Sequence, residues 1–117
     1  MLPILVRENN QAYYHFLVYF ASIPNYPVGV PEGSGGVSLG KRLNSIGYVP
    51  LSEVYFDEPF ENQWYRVRIV LYEGDISFYW NNELVLEYHD EDYLPAGAIR
   101  IYTDDGTCLD NFRVTSK

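Results

Sequence analysis

Alternating apolar and polar side chains over residues 64–88 constrain the fold more than any other feature of the chain. The stretch reads WYRVRIVLYEGDISFYWNNELVLEY, and a two-residue turn at Glu73 and Gly74 gathers its apolar residues on one face of an antiparallel hairpin. A slip of one residue would bury arginines, so the register is well specified. The predicted apolar pairs are Leu71 with Ile76, Ile69 with Phe78 and Val67 with Trp80; the pairs on the other face are Val70 with Ser77, Arg68 with Tyr79 and Arg66 with Asn81.

A second turn follows this hairpin at Asn81 and Asn82. Both central residues of a type I′ turn need positive φ, which asparagine tolerates. The strand after the turn, residues 84–89, is apolar on both faces. We therefore expect another part of the protein to cover its outer side as well.

The rest of the chain shows the same strand-like patterns. Apolar residues alternate or run in short blocks separated by glycine, proline, asparagine and aspartate, and no segment has a convincing helical period. We predict one all-β domain over residues 1–117, a two-sheet antiparallel β-sandwich with a long Pro/Gly-rich loop at 22–35. Strand spacing alone leaves a jelly-roll and an immunoglobulin-like topology open. The nine predicted strands are 3–7, 12–20, 36–43, 51–56, 64–72, 75–81, 84–89, 97–103 and 107–115.

Composition excludes several classes of partner. The chain of 117 residues has a formal net charge of −8, so it lacks the basic footprint that nucleic acids and anionic membrane surfaces require.

The single Cys108 permits no internal disulfide. The start, MLPILVREN, does not resemble a secretory signal, and no apolar run reaches membrane-spanning length. We expect a cytosolic protein or a piece of a longer protein that is secreted or displayed at the cell surface.

Three motifs in the second half of the chain resemble a known family. They are WYRVRIVLYEGDISFYWNNELVLEYHD at residues 64–90, then PAGAIRIYTDDG, then LDNFRV. In this order they are similar to the closing half of a concanavalin-A-like lectin/glucanase (laminin-G-like) jelly roll, over residues 62–115. The resemblance implies a jelly-roll sandwich whose members include lectins, carbohydrate-binding modules, glycosidases and adhesion domains. The matching positions are Trp64, Gly74, Asp75, Asn81, Asp90, Gly97, Ile99, Asp110, Asn111 and Val114.

Two features depart from the pattern of that family. Asn82 stands where a glycine is usual. The chain is also shorter than most members, whose opening strands come before anything like AYYHF. We therefore expect a minimal version of the fold, a fragment, or a domain that completes its sheets with another copy.

The stretch TDDGTCLDNFRV, residues 103–114, holds three aspartates near Gly106. One interpretation is a polar hairpin turn that leads into the last strand. The other is a calcium site, because carboxylates and backbone carbonyls suit a hard cation, and the resembling domains sometimes place calcium beside this strand. The candidate metal ligands are Asp104, Asp105 and Asp110, and no other cofactor is expected.

The sequence contains no recognisable pair of catalytic carboxylates. A retaining glycosidase needs two carboxyl groups about 5 Å apart, and glucanases of the resembling fold usually carry them on one strand in an E-x-D-x-x-E pattern. The acids of this chain fall in loops, where they favour solubility. His89 beside Asp90 is weak evidence for acid–base chemistry, and the isolated His15 suits a strand face or the core. We therefore predict that the protein is not an enzyme.

Aromatic rings near basic residues suggest a binding surface. Sugar sites combine flat rings with polar side chains that hold hydroxyl groups. We expect Trp80 in the core and Trp64 as a packing anchor at a strand entry. Four arginines, at positions 66, 68, 100 and 113, fall on strand positions predicted to face outward. The candidate ligand-binding residues are Tyr79, Tyr102, Arg66, Arg68 and Arg100, provided that their strands are neighbours, together with Tyr26 and its loop.

These features favour non-catalytic binding of carbohydrate. One alternative is a structural or assembly domain whose aromatic surface meets another protein chain. A further alternative is a fragment of a glycoside-hydrolase-like domain. Because a sandwich without the family's opening strands would expose strand edges and an apolar face, we also predict a homodimer.

Overall fold

The computed structural model describes residues 2–19, 31–56, 64–102 and 113. These residues form eight strands and no helix, which confirms the all-β expectation. Accordingly, this part of the chain contains no helix that is long and apolar enough to cross a membrane. The strands are β1 (Leu2–Glu8), β2 (Ala12–Tyr19), β3 (Gly36–Leu43), β4 (Gly47–Tyr55), β5 (Val67–Tyr72), β6 (Asp75–Trp80), β7 (Glu83–His89) and β8 (Ala98–Ile101).

The eight strands form two antiparallel sheets. The larger sheet has the order β4-β3-β2-β1-β8, so its first four strands form a meander and β8 returns to pair with β1. The smaller sheet is the meander β5-β6-β7. The predicted antiparallel β-sandwich is thus confirmed, whereas its jelly-roll connectivity stays a prediction.

The hydrophobic core lies between the two sheets. Phe16 of β2 stacks on Phe78 of β6, with ring centroids 5.7 Å apart, and both side chains are fully buried. Alternate residues of β1, β2 and β3 complete the contribution of the larger sheet, while Ile76 and Leu86 add to that of the smaller one. Burying one large apolar side chain contributes roughly 1.5–3 kcal/mol. The two phenylalanines therefore form a central contact that holds the sheets together.

The hairpin of β5 and β6 has the predicted register, and a hydrogen bond from the Asn81 N–H to the Arg66 carbonyl continues it beyond the strands. Asn81 and Asn82 have φ of 50° and 68°, which confirms the second turn. In the first turn Glu73 has φ of 51°. Gly74 is required there because a Cβ would overlap the backbone carbonyl of Asp90. The observed pairs are Leu71 with Ile76, Ile69 with Phe78, Val67 with Trp80, Val70 with Ser77 and Arg68 with Tyr79.

Several strand boundaries differ from the prediction. β4 begins at Gly47 rather than at residue 51, although Pro50 lies within it. In the described part of the sheet β4 is an edge strand, where proline is tolerated because no neighbour needs its missing N–H. β5 begins only at Val67, and β8 is limited to Ala98–Ile101. The predicted strand 107–115 lies outside the described residues, apart from position 113.

The outer side of β7 is not covered as expected, since Leu84 is 47% exposed. A bulge between Phe78 and Tyr79 pairs Phe78 with Leu86 and Tyr79 with Leu84. The extra residue, Val85, packs against the core beside the buried Leu86. The apolar run therefore reflects a bulge that brings two consecutive residues to the core, rather than a second layer over the strand.

Candidate functional site: the outer face of the larger sheet

The side of the larger sheet that is turned away from the core carries a group of aromatic and polar side chains. Strand alternation places Gly36, Ser38 and Gly40 of β3 on this side, because the intervening Val37 and Leu39 are buried in the core. The small residues leave room above β3 for larger side chains from its neighbours β2 and β4. We call this surface the outer face; its described members used below are Tyr13, His15, Tyr19, Ser38, Arg42, Tyr48 and Glu53.

Tyr48 of β4 lies over Gly40. A Cβ at position 40 would overlap the tyrosine ring, so the ring can occupy this place only because glycine has no side chain. The His15 ring meets Tyr48 edge to face with centroids 6.0 Å apart, and Tyr13 meets His15 in the same way at 6.4 Å. Tyr48 nevertheless stays 45% exposed. The three rings form a row whose last member keeps much of its surface open to solvent.

Tyr19 occupies the corresponding place over Gly36, where a Cβ would again overlap the ring. Its hydroxyl donates to Glu53 Oε2 at 2.9 Å. Glu53 is exposed as a whole residue, but loss of solvent around its carboxyl group raises its pKa, and the hydrogen bond from Tyr19 offsets part of this rise. Burial, followed by the contact with Glu53, raises the pKa of the Tyr19 hydroxyl. The carboxyl group of Glu53 is thus held in a defined position on the outer face.

The outer face offers several side-chain hydrogen-bonding groups beside its aromatic rings. Burial lowers the pKa of His15, so its imidazole is neutral near pH 7 and has one donor and one acceptor nitrogen. Ser38 and Glu53 lie opposite each other on β3 and β4 and add a hydroxyl and a carboxyl group. Together with the Tyr48 ring, these groups can stack on a flat ligand and exchange hydrogen bonds with hydroxyl groups.

A second polar cluster lies inside the sandwich. Lys41 Nζ is 2.7 Å from Asp90 Oδ2 and donates to the Asp92 carbonyl at 2.6 Å. The Tyr14 hydroxyl donates to the same Asp90 oxygen at 2.6 Å and accepts a hydrogen bond from the Leu94 N–H at 3.1 Å. We call Tyr14, Lys41 and Asp90 the clamp, because together they tie the segment after β7 to β2 and β3.

The charges of the clamp are satisfied within the protein. Burial alone would raise the pKa of Asp90, but hydrogen bonds from Lys41 and Tyr14 outweigh that effect and lower it. Burial and the contact with Asp90 raise the pKa of Tyr14. Arg7 extends the network by donating to the carbonyls of Glu73 and, at 3.1 Å, Leu94. We therefore interpret the clamp as a structural element and not as a reactive site.

The structure separates the predicted ligand-binding tyrosines and arginines into two groups. Arg68 and Tyr79 pair on the smaller sheet, with the guanidinium carbon 5.4 Å from the ring centroid. Arg100 lies on β8 of the larger sheet, where it donates to the Tyr102 hydroxyl at 3.2 Å and forms an ion pair with Glu8 at 2.7 Å. The condition that these strands be neighbours is not met, because β8 pairs with β1 and not with β5 or β6.

The remaining predicted positions have different outcomes. All four arginines are exposed, but Arg66 precedes β5 and the predicted strand of Arg113 lies outside the described residues, so an outward-facing strand position is confirmed only for Arg68 and Arg100. The described residues contain no group of three or more His, Cys, Asp or Glu side chains that could hold a metal ion. Four candidate residues lie outside the described part of the chain: Tyr26, Asp104, Asp105 and Asp110.

The two tryptophans differ from each other. Trp80 packs against the core and against the Tyr65 ring, whose centroid is 4.6 Å away, but it is only half-buried. Trp64 is 69% exposed, so its expected role as a packing anchor is wrong. The physical reason is that the strand ladder begins only at Val67, three residues later. Trp64 therefore gains no support from strand pairing.

The rings of the outer face were not identified as a site from the sequence. Tyr48 fell outside the predicted strand 51–56, and His15 was considered alone. A usable signal was nevertheless present in GVSLG, residues 36–40. A glycine inside a strand pattern often marks the close approach of another group, and both glycines of this stretch lie beneath tyrosine rings.

Comparisons of the chain with protein-family models, with curated proteins and with solved structures found no match. The resemblance of residues 62–115 to concanavalin-A-like domains therefore stays a prediction. A functional argument has to start from the side chains of the candidate site, because a β-sandwich fold alone is compatible with many functions.

Proposed function

We propose that this domain binds carbohydrate without catalysis, through the outer face of the larger sheet. The observation that carries the proposal is the position of Tyr48, which lies over Gly40 and keeps 45% of its surface exposed. A tyrosine ring supported from below loses little conformational entropy when a sugar ring stacks on it. Its neighbour His15, neutral at pH 7, offers a hydrogen-bond donor or acceptor beside the stacked ring.

Polar groups around this platform support the same ligand class. Ser38 and Glu53 can hold hydroxyl groups on one side, and Arg42, which pairs with Tyr48 across the ladder, adds fixed donors on the other. The resemblance of residues 62–115 to a fold whose members include lectins and carbohydrate-binding modules agrees with this proposal. A glycan array is the direct way to identify the bound sugar.

The test compares two tyrosine variants on the ligand that the array identifies. Tyr48→Ala should weaken binding about tenfold or more, equivalent to about 1.4 kcal/mol. Tyr72→Ala is the matched control, because Tyr72 is also exposed but lies on the smaller sheet, and it should bind like the wild type. Gly40→Ala should mimic Tyr48→Ala, since the new methyl group must displace the ring.

Three results would contradict this proposal. If no glycan on the array binds the wild-type protein, carbohydrate recognition is wrong. If Tyr48→Ala and Tyr72→Ala lose affinity equally, the outer face is not the site. Hydrolysis of a bound glycan that disappears in Glu53→Gln would contradict the non-catalytic part of the proposal and favour a glycoside-hydrolase-like domain instead.

A second candidate function is assembly with another protein chain, most simply a second copy of this one. It is favoured by large apolar side chains that are exposed away from the outer face, namely Trp64, Tyr72 and Leu84. Exposed apolar residues often mark protein interfaces. Sedimentation at low micromolar concentration tests this alternative: a homodimer should dissociate in Leu84→Glu, whereas a monomeric wild type would rule the homodimer out.

A further inference from the structure

A groove of about 380 Å³ opens at one end of the sandwich, where the β1–β2 turn, the β3–β4 turn and the segment before β8 meet. Its volume lies within the range of small-ligand pockets. The groove has amide side chains from Asn9, Gln11 and Asn44, and an apolar surface formed mainly by Leu43, Leu94 and Pro95. None of the described residues that line it carries a charge, which favours a neutral ligand.

Backbone hydrogen bonds fix the orientation of the Asn9 amide. Asn9 Oδ1 accepts hydrogen bonds from the Gln11 N–H at 2.7 Å and from the Ala12 N–H at 3.0 Å. The acceptor end of the side chain is therefore occupied by the turn. The Nδ2 group remains as a hydrogen-bond donor. Its position is fixed because Oδ1 of the same amide is hydrogen-bonded to the turn.

The Asn44 amide is fixed in the opposite sense. Its Nδ2 donates to the Asn10 carbonyl at 3.0 Å, and its backbone N–H donates to the Gln11 carbonyl at 2.9 Å. Asn44 Oδ1 therefore remains as an acceptor. Two side chains that line the groove thus each have one end of the amide held by the turns, which leaves one donor and one acceptor whose positions are set before a ligand binds.

A donor, an acceptor and an apolar surface together complement an acetamido group. The carbonyl of that group can accept from Asn9 Nδ2, its N–H can donate to Asn44 Oδ1, and its methyl group can rest against Leu94 and Pro95. We propose that this groove binds the acetamido group of a neutral N-acetylated sugar. The proposal rests on the proposed function only in taking a sugar as the ligand, because the groove and the outer face have no residue in common.

The experiment is a titration of the ¹⁵N-labelled protein with N-acetylglucosamine and N-acetylgalactosamine, with glucose and galactose as matched probes that lack the acetamido group. The side-chain NH₂ signals of Asn9 and Asn44 report directly on the groove. At least one acetamido sugar should shift these signals saturably, and its parent sugar should bind at least tenfold more weakly. Asn44→Ala should weaken binding tenfold or more, while Asn10→Ala should not, because Asn10 contributes to this network only through its backbone carbonyl.

Three results would overturn the inference. They are the absence of a saturable shift with either acetamido sugar, equal affinity for the acetamido sugar that binds and for its parent sugar, and stronger binding of N-acetylalanine N-methylamide, which would assign the groove to a peptide. Tyr48→Ala separates this inference from the proposed function. If the NH₂ signals of the groove still shift in Tyr48→Ala, the groove binds its sugar independently of the outer face. If Tyr48→Ala also still binds on the glycan array, the assignment of the outer face as the carbohydrate site is wrong, and the groove inference stands.

Discussion

Lys41 Nζ lies 2.7 Å from Asp90 Oδ2, although the two residues are 49 positions apart in the chain. Both side chains are nearly buried, with 9% and 12% of their surfaces exposed. Lys41 lies on β3 of the larger sheet, and Asp90 follows the last residue of β7 in the smaller sheet. This ion pair is thus a direct polar link between the two sheets.

Removing one partner of this pair should be costly. Asp90→Ala leaves the Lys41 ammonium and the Tyr14 hydroxyl without their acceptor, and loss of one member of a buried ion pair typically costs about 3–5 kcal/mol. The control is Asp75→Ala, which breaks the pair between Asp75 and His89. Because those two side chains are 69% and 61% exposed, the control should cost less than about 1 kcal/mol. Urea unfolding of both variants provides the measurement, and equal midpoints would refute a structural role for the clamp.

His15 should make stability depend on pH. Burial lowers its pKa below the ordinary value of 6.5, so the unfolded chain binds more protons than the folded one between the folded pKa and 6.5. The contribution of neutral His15 to stability is therefore complete above about pH 6.5, and it is lost as the pH falls through the pKa of His15 in the folded protein. Between about pH 7.5 and pH 5, the wild type should therefore lose more stability than His15→Gln.

The pH comparison must be made as a difference between the two proteins. Glu53, whose pKa is raised by burial, acts in the opposite direction, since its effect on stability becomes less favourable as the pH rises above about 4.5. This contribution is present in both the wild type and His15→Gln and cancels in the difference. Parallel stability curves for the two proteins would show that His15 titrates as it does in the unfolded chain.

The core contact between the sheets gives a third prediction. Phe78→Ala should destabilise the protein by about 3–5 kcal/mol, the range for truncating a large aromatic residue in a packed core. Arg68→Ala, on the exposed side of the same hairpin, should cost under about 1 kcal/mol. Chemical denaturation measures both values. Trp80→Ala should fall between them, because Trp80 is only half-buried whereas Phe78 is fully buried.

The first hairpin turn holds a strained residue. Glu73 has φ of 51°, a conformation that costs a residue with an ordinary side chain roughly 1–2 kcal/mol and that asparagine adopts more readily. Glu73→Asn should therefore stabilise the protein by about 0.5–1 kcal/mol, while the backbone carbonyl that accepts from Arg7 is retained. Thermal unfolding tests this, and a lower melting temperature in the variant would show that the Glu73 side chain makes a compensating contact.

Local features of the fold could be predicted because they depend on neighbouring residues. The pairing of Ile69 with Phe78 follows from a two-residue turn and a period of two, both of which can be read within a short stretch of sequence. The positive φ values of Asn81 and Asn82 follow in the same way from turn chemistry. The start of β4 at Gly47 rather than at residue 51 is different, because only the strand order reveals that β4 lies at an edge of the described sheet, where Pro50 is tolerated.

The candidate site was less accessible to such reasoning. Whether Arg100 and Tyr102 lie beside Arg68 and Tyr79 was left open by the sequence, and the pairing of β8 with β1 places them in the other sheet. Which strand joins which edge depends on connections across tens of residues, and side-chain alternation is the same for either arrangement. The outer-face contact between Tyr48 and His15 was unpredictable for the same reason, since it joins two strands that are not adjacent in the sheet.

The all-β class, the register of the β5–β6 hairpin and its turns follow from local sequence, because alternation and turn residues act over a few neighbouring positions. Three further features depend on the assembled sheets: the return of β8 to β1, the enclosure of Lys41 with Asp90, and the placement of Tyr48 over Gly40. Each of these brings together residues that are distant in the chain or on different strands. Their free energy depends on burial and on the satisfaction of hydrogen bonds in the assembled sandwich, and a local pattern such as GVSLG can indicate a close approach at β3 without showing which side chain makes it.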